Sequence, residues 1–407
     1  MTETETETAP APGRWRGLIV LLTLSHLVGT VGYVSVMAMA PLIRADLDLN
    51  ATQIGSFMSA FYFALAVIAI PGGVWVDRAG VGKALMLSMA LLAAGAAGFA
   101  TVGSYPPAVL ATFVMGLGYG LVNPATAKGV LDGFRPQERA TAMGVKQMGV
   151  PVGGLAAAGL AAGAATLSWR GVLFGIAAAT VVLGVAWWLR GGRGRRPTAQ
   201  PKGGSLANLR AVLKNRDLTA LNVAGFFFNG AQQSVATYLT LFLRDAALAT
   251  QPLASLCLGV AQASGASGRV LWAVASDRLA GGRRKGALVL MMSIAAAAGL
   301  IAALVGPGWP AFVLIGLAAA TGATVLAYAP MMHTACAEAA EPGQAGAAIG
   351  ANLLATAVGG AICPLLFGAL VDATGGYGAA WTAAAVILAL GVAAIAFGLR
   401  EGAARRT

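Results

Sequence analysis

Long apolar stretches are the feature that most constrains this chain. Twelve such stretches can be read along it, and about 20 apolar residues in a helix suffice to cross a bilayer core of roughly 30 Å. Only 10% of the 407 residues are charged, whereas a soluble domain carries about 25%. The sequence therefore predicts an all-α integral membrane protein with twelve transmembrane helices. The spans are expected near residues 17–40, 52–76, 84–104, 107–131, 140–166, 170–190, 218–243, 252–275, 286–306, 309–332, 344–370 and 378–399.

One long polar connection, "RGGRGRRPTAQPKGGSLANLRAVLKNRD" (residues 190–217), divides the chain in the middle. We expect a six-helix half over 17–190, a cytoplasmic linker over 191–217 and a second six-helix half over 218–399. The N-terminal residues 1–16 lack the small-residue cleavage pattern of a secretory signal, and we predict a disordered cytoplasmic tail there. Residues 400–407 form a second short tail.

The positions of the basic residues predict the orientation in the membrane. With both termini in the cytoplasm, 21 of the 27 Lys and Arg residues fall in cytoplasmic segments, as the positive-inside rule requires. The net charge of +12 is thereby explained by topology, and nucleic acid is not an expected partner. We expect a multi-pass protein of the bacterial cytoplasmic membrane. The three cysteines all lie in apolar runs, so no disulfide framework is expected, and the chain is expected to be a monomer.

The two halves repeat one another. With an offset of 200, "LIRAD" at the end of the first span aligns with "FLRDA" at the end of the seventh. With an offset of 206, Gly153 and Gly154 align with Gly359 and Gly360, and Pro136 and Gly144 align with Pro342 and Gly350. Two parallel six-span repeats predict a pseudo-two-fold transporter in which one half rocks against the other.

The loop "GGVWVDRAGVGK" (residues 72–83) resembles the signature between the second and third spans of the major facilitator superfamily. "SDRLAGGRRK" resembles a weaker second copy, with Ala273 in place of the glycine. The resemblance implies a secondary transporter with alternating access, and it implies that the loops form a latch holding the cytoplasmic side shut. The alternative is an ordinary charged turn. The latch candidates are Gly73, Asp77, Arg78, Gly80, Asp277 and Arg278.

Charged side chains inside the spans are all basic. The fifteen acidic residues lie in termini, loops or helix ends, whereas Lys128, Lys146 and Arg269 lie within apolar segments together with His26 and His333. A charge within a span is costly, and it normally faces a cavity, a partner or the headgroups. Because the spans offer no acidic partner, a natural counter-ion is the substrate, which indicates an anion.

Arg269, eight positions before Asp277, resembles the substrate-binding arginine of monocarboxylate, oxalate–formate and nitrate/nitrite transporters. The resemblance implies a small anion, with an organic carboxylate favoured and cyanate- or nitrate-like ions left open. A guanidinium suits such anions through its fixed fork of donors. The alternative is that Arg269 snorkels to the cytoplasmic headgroups, about 12 Å away. The same alternative applies to Lys146 and Lys128.

Polar residues of other spans are candidates to complete the site. His26, Thr30 and Tyr33 share one face of the first span at helical spacing, and Asn229 and Gln233 are four residues apart in the seventh. Each of these residues could instead make an inter-helix hydrogen bond, and the histidines could be packing residues. The full set of substrate-binding candidates is Arg269, Lys146, Gln147, Asn123, Lys128, His26, Tyr33, Asn229, Gln233 and Asn352.

Energy coupling is left open by the sequence. Many proton-coupled members of the superfamily carry an arginine where this chain has Thr112, and no carboxylate lies mid-span. These absences favour exchange or potential-sensitive flux over a carboxylate-based proton relay, with a proton or a counter-transported anion as coupling partner. The alternatives are a drug exporter, a membrane-embedded enzyme and a transporter-derived sensor. An enzyme would need a nucleophile–base or metal-ligand cluster, and no cofactor is expected.

Overall fold

The computed structural model describes residues 14–135, 138–191, 214–279, 283–341 and 344–400, and these ranges contain fifteen α-helices. The predicted all-α membrane architecture is confirmed. Most of the predicted linker and of the two predicted tails lies outside the described residues.

The helices are α1 (Arg14–Ala38), α2 (Ala40–Leu47), α3 (Ala51–Ala79), α4 (Val81–Thr101), α5 (Tyr105–Gly133), α6 (Arg139–Gln147), α7 (Gly149–Leu167), α8 (Trp169–Gly191), α9 (Arg216–Asp245), α10 (Gln251–Leu279), α11 (Arg284–Ala302), α12 (Ala311–Val325), α13 (Ala329–Ala339), α14 (Ala345–Thr374) and α15 (Gly378–Gly398).

Fifteen helices form twelve spans because three spans are each divided in two. The first span consists of α1 and α2, the fifth of α6 and α7, and the tenth of α12 and α13. Pro41, Pro151 and Pro330 each lie in the first turn of the second helix of a pair. Proline has no N–H for the helical ladder and fits the first turn of a helix without losing a hydrogen bond, so these three prolines are compatible with a new helix beginning there, whereas Pro71, Pro124 and Pro364 lie inside helices that stay continuous.

Ten helical segments of the described chain are long and apolar enough to cross a membrane on length and composition alone. The seventh and eighth spans, α9 and α10, are not among the ten. They carry polar and charged side chains within the span, including Asn229, Gln233 and Arg269. The two helices that look least like membrane spans are therefore those that bring polar groups into the centre of the protein.

The two halves have the same internal packing. In the first half α1 lies against α7, and in the second half α9 lies against α14, which are the equivalent spans of the repeat. The halves meet through α3 with α14 and through α7 with α10, a pair of contacts that the pseudo-two-fold axis exchanges. The α3–α14 contact is close, because a Cβ added to Gly55 would lie 2.9 Å from the carbonyl carbon of Pro364.

We call the face that carries Arg14 and Arg400 the inner face and the opposite face the outer face. At the outer face Asp372 of α14 accepts hydrogen bonds from the backbone N–H groups of Ala51 (2.9 Å) and Thr52 (2.8 Å) at the first turn of α3. Tyr238 of α9 donates to the carbonyl oxygen of Ala51 at 2.7 Å. A carboxylate at a helix N-terminus satisfies N–H groups that have no partner within the helix, so these contacts join the halves.

A second cross-link at the outer face is ionic. Arg44 at the end of the first span pairs with Asp245 at the end of the seventh, and Tyr377 donates to the same carboxylate at 2.8 Å. Burial and the neighbouring Asp245 carboxylate raise the pKa of the Tyr377 hydroxyl well above its ordinary value. The hydroxyl therefore stays protonated as a donor throughout the physiological range.

Candidate functional site

Arg269 lies between the two halves. Gly268, beside it on α10, lets this helix approach α12 so closely that an added Cβ would lie 2.7 Å from the carbonyl oxygen of Ala323. The Arg269 Nε donates to the carbonyl oxygen of Leu326 at 3.3 Å. Among the described residues its other guanidinium N–H groups have no acceptor, and no carboxylate forms an ion pair with it.

Tyrosines from both halves surround this guanidinium. Arg269 interacts electrostatically with Tyr33 and Tyr119 of the first half and with Tyr328 of its own half. The rings of Tyr33 and Tyr119 lie 5.4 Å apart, and Phe61 packs on Tyr33 at 4.5 Å. We call Tyr33, Phe61, Tyr62, Tyr119 and Tyr328 the central aromatic cluster. The guanidinium is thus within electrostatic range of the first half, and its one hydrogen bond is to the backbone of the neighbouring span, which disfavours the snorkelling alternative.

Lys146 belongs to a second polar cluster, in the first half. Its side chain is only 1% exposed, and its Nζ lies 3.1 Å from Thr126 Oγ1, 3.2 Å from Asn123 Oδ1 and 3.5 Å from His26 Nε2. His26 Nε2 is also 2.9 Å from Thr126 Oγ1. We call His26, Asn123, Thr126 and Lys146 the lysine cluster. It is buried because Gly149 lies against α1, where an added Cβ would lie 2.8 Å from the Cβ of His26.

Two observations connect the lysine cluster to Arg269. The predicted polar face of the first span is present: His26 touches Lys146, Thr30 lies 3.3 Å from the hydroxyl of Tyr119, and Tyr33 joins the central aromatic cluster. The second observation is that Lys146 and Arg269 lie at a similar depth in the membrane. This follows from the contact between α7 and α10.

At that contact, a Cβ on Gly154 would lie 2.8 Å from Gln262 Nε2. Lys146 is eight residues from Gly154 and Arg269 is seven residues from Gln262, both toward the inner face. At 1.5 Å per residue the Cα atoms of both residues lie about 10–12 Å from the contact. The two halves therefore place one cation each at a similar depth.

Other sequence candidates make contacts within one half. Asn229 donates to the carbonyl oxygen of Thr356 at 2.7 Å and accepts from Gln233 at 3.1 Å. Asn352 donates to the carbonyl oxygen of Leu221 at 3.1 Å and is fully buried. These contacts are inter-helix hydrogen bonds, which the sequence left open as the alternative to substrate binding. Tyr62 of the other half also lies within hydrogen-bonding reach of Asn229.

The two remaining substrate-binding candidates are Gln147 and Lys128, and they lie apart from these clusters. Gln147 is exposed and makes no hydrogen bond to a described residue. Lys128 is buried at the inner end of α5, with its Nζ 3.8 Å from Asp77 and 3.6 Å from Asp132. His333 is half-buried and interacts electrostatically with Arg269. The contacts of Lys128 favour a structural position at the inner face.

The two copies of the loop motif are each paired within their own half. Asp77 faces Lys128 in the first half, and Asp277 lies 2.6 Å from Arg284 in the second. Gly80 has a φ of +82° where α3 turns into α4, a conformation that favours glycine. A Cβ on Gly73 would meet nothing within 4 Å. The predicted latch, including the exposed Arg78 and Arg278, therefore stays a prediction for a state closed at the inner face.

Five residues of these clusters were missed by the sequence interpretation, namely Phe61 and Tyr62 of α3, which pack on each other, and the three that follow. Tyr119 and Tyr328 interact with Arg269, and Thr126 bonds both His26 and Lys146. A signal existed for these two tyrosines, because each lies alone in a run of small and apolar residues, "GLGYG" and "LAYAP". Thr126 gave no such signal in the sequence, because a threonine in a span commonly donates to its own helix backbone. Thr126 also makes that bond.

The sequence profile of the Major Facilitator Superfamily matches residues 21–305 and 248–407 of this chain. The hexuronate transporter of Bacillus subtilis (strain 168) is 31% identical over 175 residues, which cover 42% of this chain and 40% of that protein. The probable L-galactonate transporter of Escherichia coli (strain K12) is 30% identical over 148 residues, covering 36% and 33%. Each alignment thus spans less than half of the relative. Among solved structures, an inward-facing, unoccupied bacterial homolog of the human lysosomal transporter Spinster matches with a TM-score of 0.77 at 17% identity, over 96% of both chains.

Proposed function

Because this chain belongs to the major facilitator superfamily, we propose that it carries a small organic anion of the carboxylate class across the bacterial cytoplasmic membrane by alternating access. The chain is a multi-pass membrane transporter rather than a membrane-embedded enzyme. In the proposed orientation both termini and the inner face are cytoplasmic. The conformation described here, joined at the outer face, is then the state open to the cytoplasm.

The observation that carries the proposal is the environment of Arg269. Its guanidinium interacts electrostatically with tyrosines of both halves, with one hydrogen bond to a backbone carbonyl and no ion pair to a carboxylate in the part of the chain that the structure describes. A planar fork of N–H donors is suited to bind a carboxylate through two parallel hydrogen bonds. The tyrosines offer hydroxyl groups and ring faces to the remainder of such a molecule.

The relatives support the same class of substrate. Both are named for sugar acids, and a sugar acid combines a carboxylate with hydroxyl groups. A nitrate- or cyanate-like ion would use the arginine but would leave the aromatic cluster without a role. A cationic drug would bring a second positive charge beside Arg269, which the described contacts do not offset.

The test is to bind organic anions to purified wild type, Arg269→Lys and Arg269→Ala. Loss of a charge-assisted pair in a cavity costs about 2–5 kcal/mol, so Arg269→Ala should lose at least ~30-fold in affinity. Arg269→Lys should recover only part of it, because an ammonium is a point charge. Affinities for D-glucuronate, L-galactonate, nitrate and cyanate would be measured by thermal shift and calorimetry.

The matched control is Arg170→Lys. Arg170 lies at the outer face, pairs with Asp46 and donates to the carbonyl oxygen of Val102, all within one half. The same chemical change there should leave anion affinity within about twofold, as expected for an exposed ion pair. If Arg269→Lys binds every anion as wild type does, the role proposed for Arg269 is wrong.

A further inference from the structure

Lys146 is a buried amine without a counter-charge. Its Nζ contacts only the neutral groups Asn123 Oδ1, Thr126 Oγ1 and His26 Nε2, and none of the ion pairs between described residues includes it. We propose that Lys146 and His26 together bind one proton, and that this proton is taken up with the anion that binds at Arg269. The inference rests on the function proposed above and adds to it the coupling ion.

The hydrogen bonds of the lysine cluster fit both protonation states. A charged ammonium has three N–H donors, and the three neighbouring atoms can each accept one if His26 carries its proton on Nδ1. A neutral amine keeps a lone pair, which can accept from His26 when the proton is on Nε2 instead. The single proton of the Thr126 hydroxyl can be given to the carbonyl oxygen of Val122 at 2.7 Å when His26 Nε2 is protonated, or to Nε2 at 2.9 Å when it is not.

The cluster is limited to one positive charge. Burial without a counter-charge disfavours the charged form of any amine or imidazole, and two charges 3.5 Å apart would repel each other. A proton therefore binds either Lys146 or His26, and not both. Asn123 is exposed and its Oδ1 contacts the buried Nζ at 3.2 Å, so it is the member of the cluster through which we expect the proton to enter.

The surrounding helices contribute few other titratable groups. The helices packed against α6 and α7 are α1, α5, α8 and α10. His26 is the titratable group that α1 directs at the cluster, and α5 carries Lys128, which faces Asp77 and Asp132. The arginines of α8, Arg170 and Arg190, lie at its two ends. From α10 comes Arg269, at a similar depth across the interface between the halves.

This placement couples the proton to the anion. An anion on Arg269 offsets the positive charge that a proton adds to the lysine cluster, so each ligand favours binding of the other. Coupling between two sites is reciprocal, and the proton must therefore tighten anion binding by the same factor. No carboxylate is needed for this coupling, which accounts for the absence of one from the middle of the spans.

The experiment measures the affinity of purified full-length protein for D-glucuronate between pH 6 and pH 9.5, where the carboxylate of the probe does not titrate. Wild type should bind about tenfold more tightly at the acidic end, within the usual range for two coupled sites. In a weakly buffered solution, binding near pH 8 should also take up protons. Lys146→Met leaves only the buried imidazole of His26, which stays neutral above pH 6 because burial disfavours its charged form, and Lys146→Arg is always charged, so both variants should bind with a flat pH profile and without proton uptake.

Two control variants exclude other sources of pH dependence. Lys214→Met makes the same change at an exposed position on the inner face, and His333→Gln removes the histidine that interacts with Arg269. Both should retain the wild-type profile. A flat wild-type profile, or a profile that Lys146→Met retains and His333→Gln loses, overturns the proposal.

A measurement without ligand separates this proposal from the proposed function. Because the charged form is disfavoured inside the fold and not in the unfolded chain, the Tm of wild type should rise from pH 6 to pH 9 relative to that of Lys146→Met. If that rise is present but no organic anion binds, the proton site stands and the proposed substrate class fails. If anions bind but neither variant alters the pH dependence of Tm or of affinity, the proton site fails alone.

Discussion

The two ends of the interface between the halves differ in their polar contacts. Most polar contacts between the halves lie at the outer end, whereas the loop carboxylates at the inner end pair within their own halves. At the outer end, Asp372 of the second half accepts from the first turn of α3, and Arg44 pairs with Asp245 across the interface. At the inner end, Asp77 and Asp277 each face a basic residue of their own half. Apart from the approach of Tyr62 to Asn229 near the middle of the interface, the hydrogen bonds and ion pairs between described residues that join the halves lie toward the outer end.

This difference indicates which contacts must change during transport. In the proposed alternating-access cycle, the predicted latch would close the inner end by pairing the loop carboxylates with the opposite half, and opening the outer end would require Asp372 to leave the N-terminus of α3. The equilibrium between the two states is then a balance between the two sets of contacts. Changing one set alone should move the equilibrium in a known direction.

The largest effect is expected from Asp372→Ala. The substitution removes hydrogen bonds to two backbone N–H groups and to the hydroxyl of Thr52, and loss of a helix cap costs about 1–2 kcal/mol. The outward-open state should gain roughly 5- to 30-fold in population. A cysteine at Thr237, whose hydroxyl is buried and has no partner among the described residues, should then react faster with a membrane-impermeant thiol reagent.

The matched control is Asp46→Ala, which removes an outer-face carboxylate paired with Arg170 inside one half. Labelling of the Thr237 cysteine should be unchanged by it. Equal labelling in both variants would mean that Asp372 does not hold the outer end closed. The three native cysteines are buried and provide a low background.

A smaller shift in the opposite sense is expected from Asp77→Asn. If the loop carboxylate bridges the halves in the state closed at the inner face, its loss should favour the inward-open state by up to about fivefold, since an exposed pair contributes up to ~1 kcal/mol. Labelling of a cysteine at Ala127, one turn inward from Asn123 on α5, should rise and uptake should fall.

The Asp132→Asn variant tests whether Asp77 acts as a latch between the halves or only as an ion-pair partner of Lys128. Asp132 also faces Lys128, at 3.6 Å, but it lies outside the loop motif. The latch predicts an effect of Asp77→Asn and little effect of Asp132→Asn. Identical behaviour of the two variants would reduce the loop to a charged turn that sets topology.

The smallest effect on the equilibrium is expected from an increase in salt concentration. Arg44 and Asp245 are each about one-third exposed, so raising the ionic strength from 0.15 M to 1 M should screen their attraction. The resulting increase in labelling of the Thr237 cysteine should be about twofold or less. An increase as large as that of Asp372→Ala would show that ion pairing, and not capping of α3, keeps the outer end closed.

The fold could be predicted from the sequence because membrane spans are set by composition over long windows. The twelve spans and the repeat were readable, and so was the polar face of His26, Thr30 and Tyr33, since all depend on local periodicity. The division of three spans into two helices was not predicted. Pro41, Pro151 and Pro330 were visible, but a proline in a span can also kink a continuous helix.

The candidate site was less readable because its contacts join distant parts of the chain. Asp132, four residues after Lys128, was a local signal for an ion pair at the inner face, but nothing local shows that Lys146 is buried against His26. Asn352, the repeat counterpart of Lys146, bonds the backbone of Leu221 instead. Which of these polar groups face the interface depends on how the helices are rotated, and packing decides that rotation.

Uptake by proteoliposomes tests the central claim most directly. Vesicles containing the purified protein should take up labelled D-glucuronate saturably, with competition by other organic carboxylates and not by tetraphenylphosphonium, a lipophilic cation. Arg269→Ala should abolish this uptake while Arg170→Lys retains it. Competition by the cation but not by carboxylates, or uptake by Arg269→Ala equal to that of wild type, would contradict the account of this protein as an organic-anion transporter that binds its substrate through Arg269.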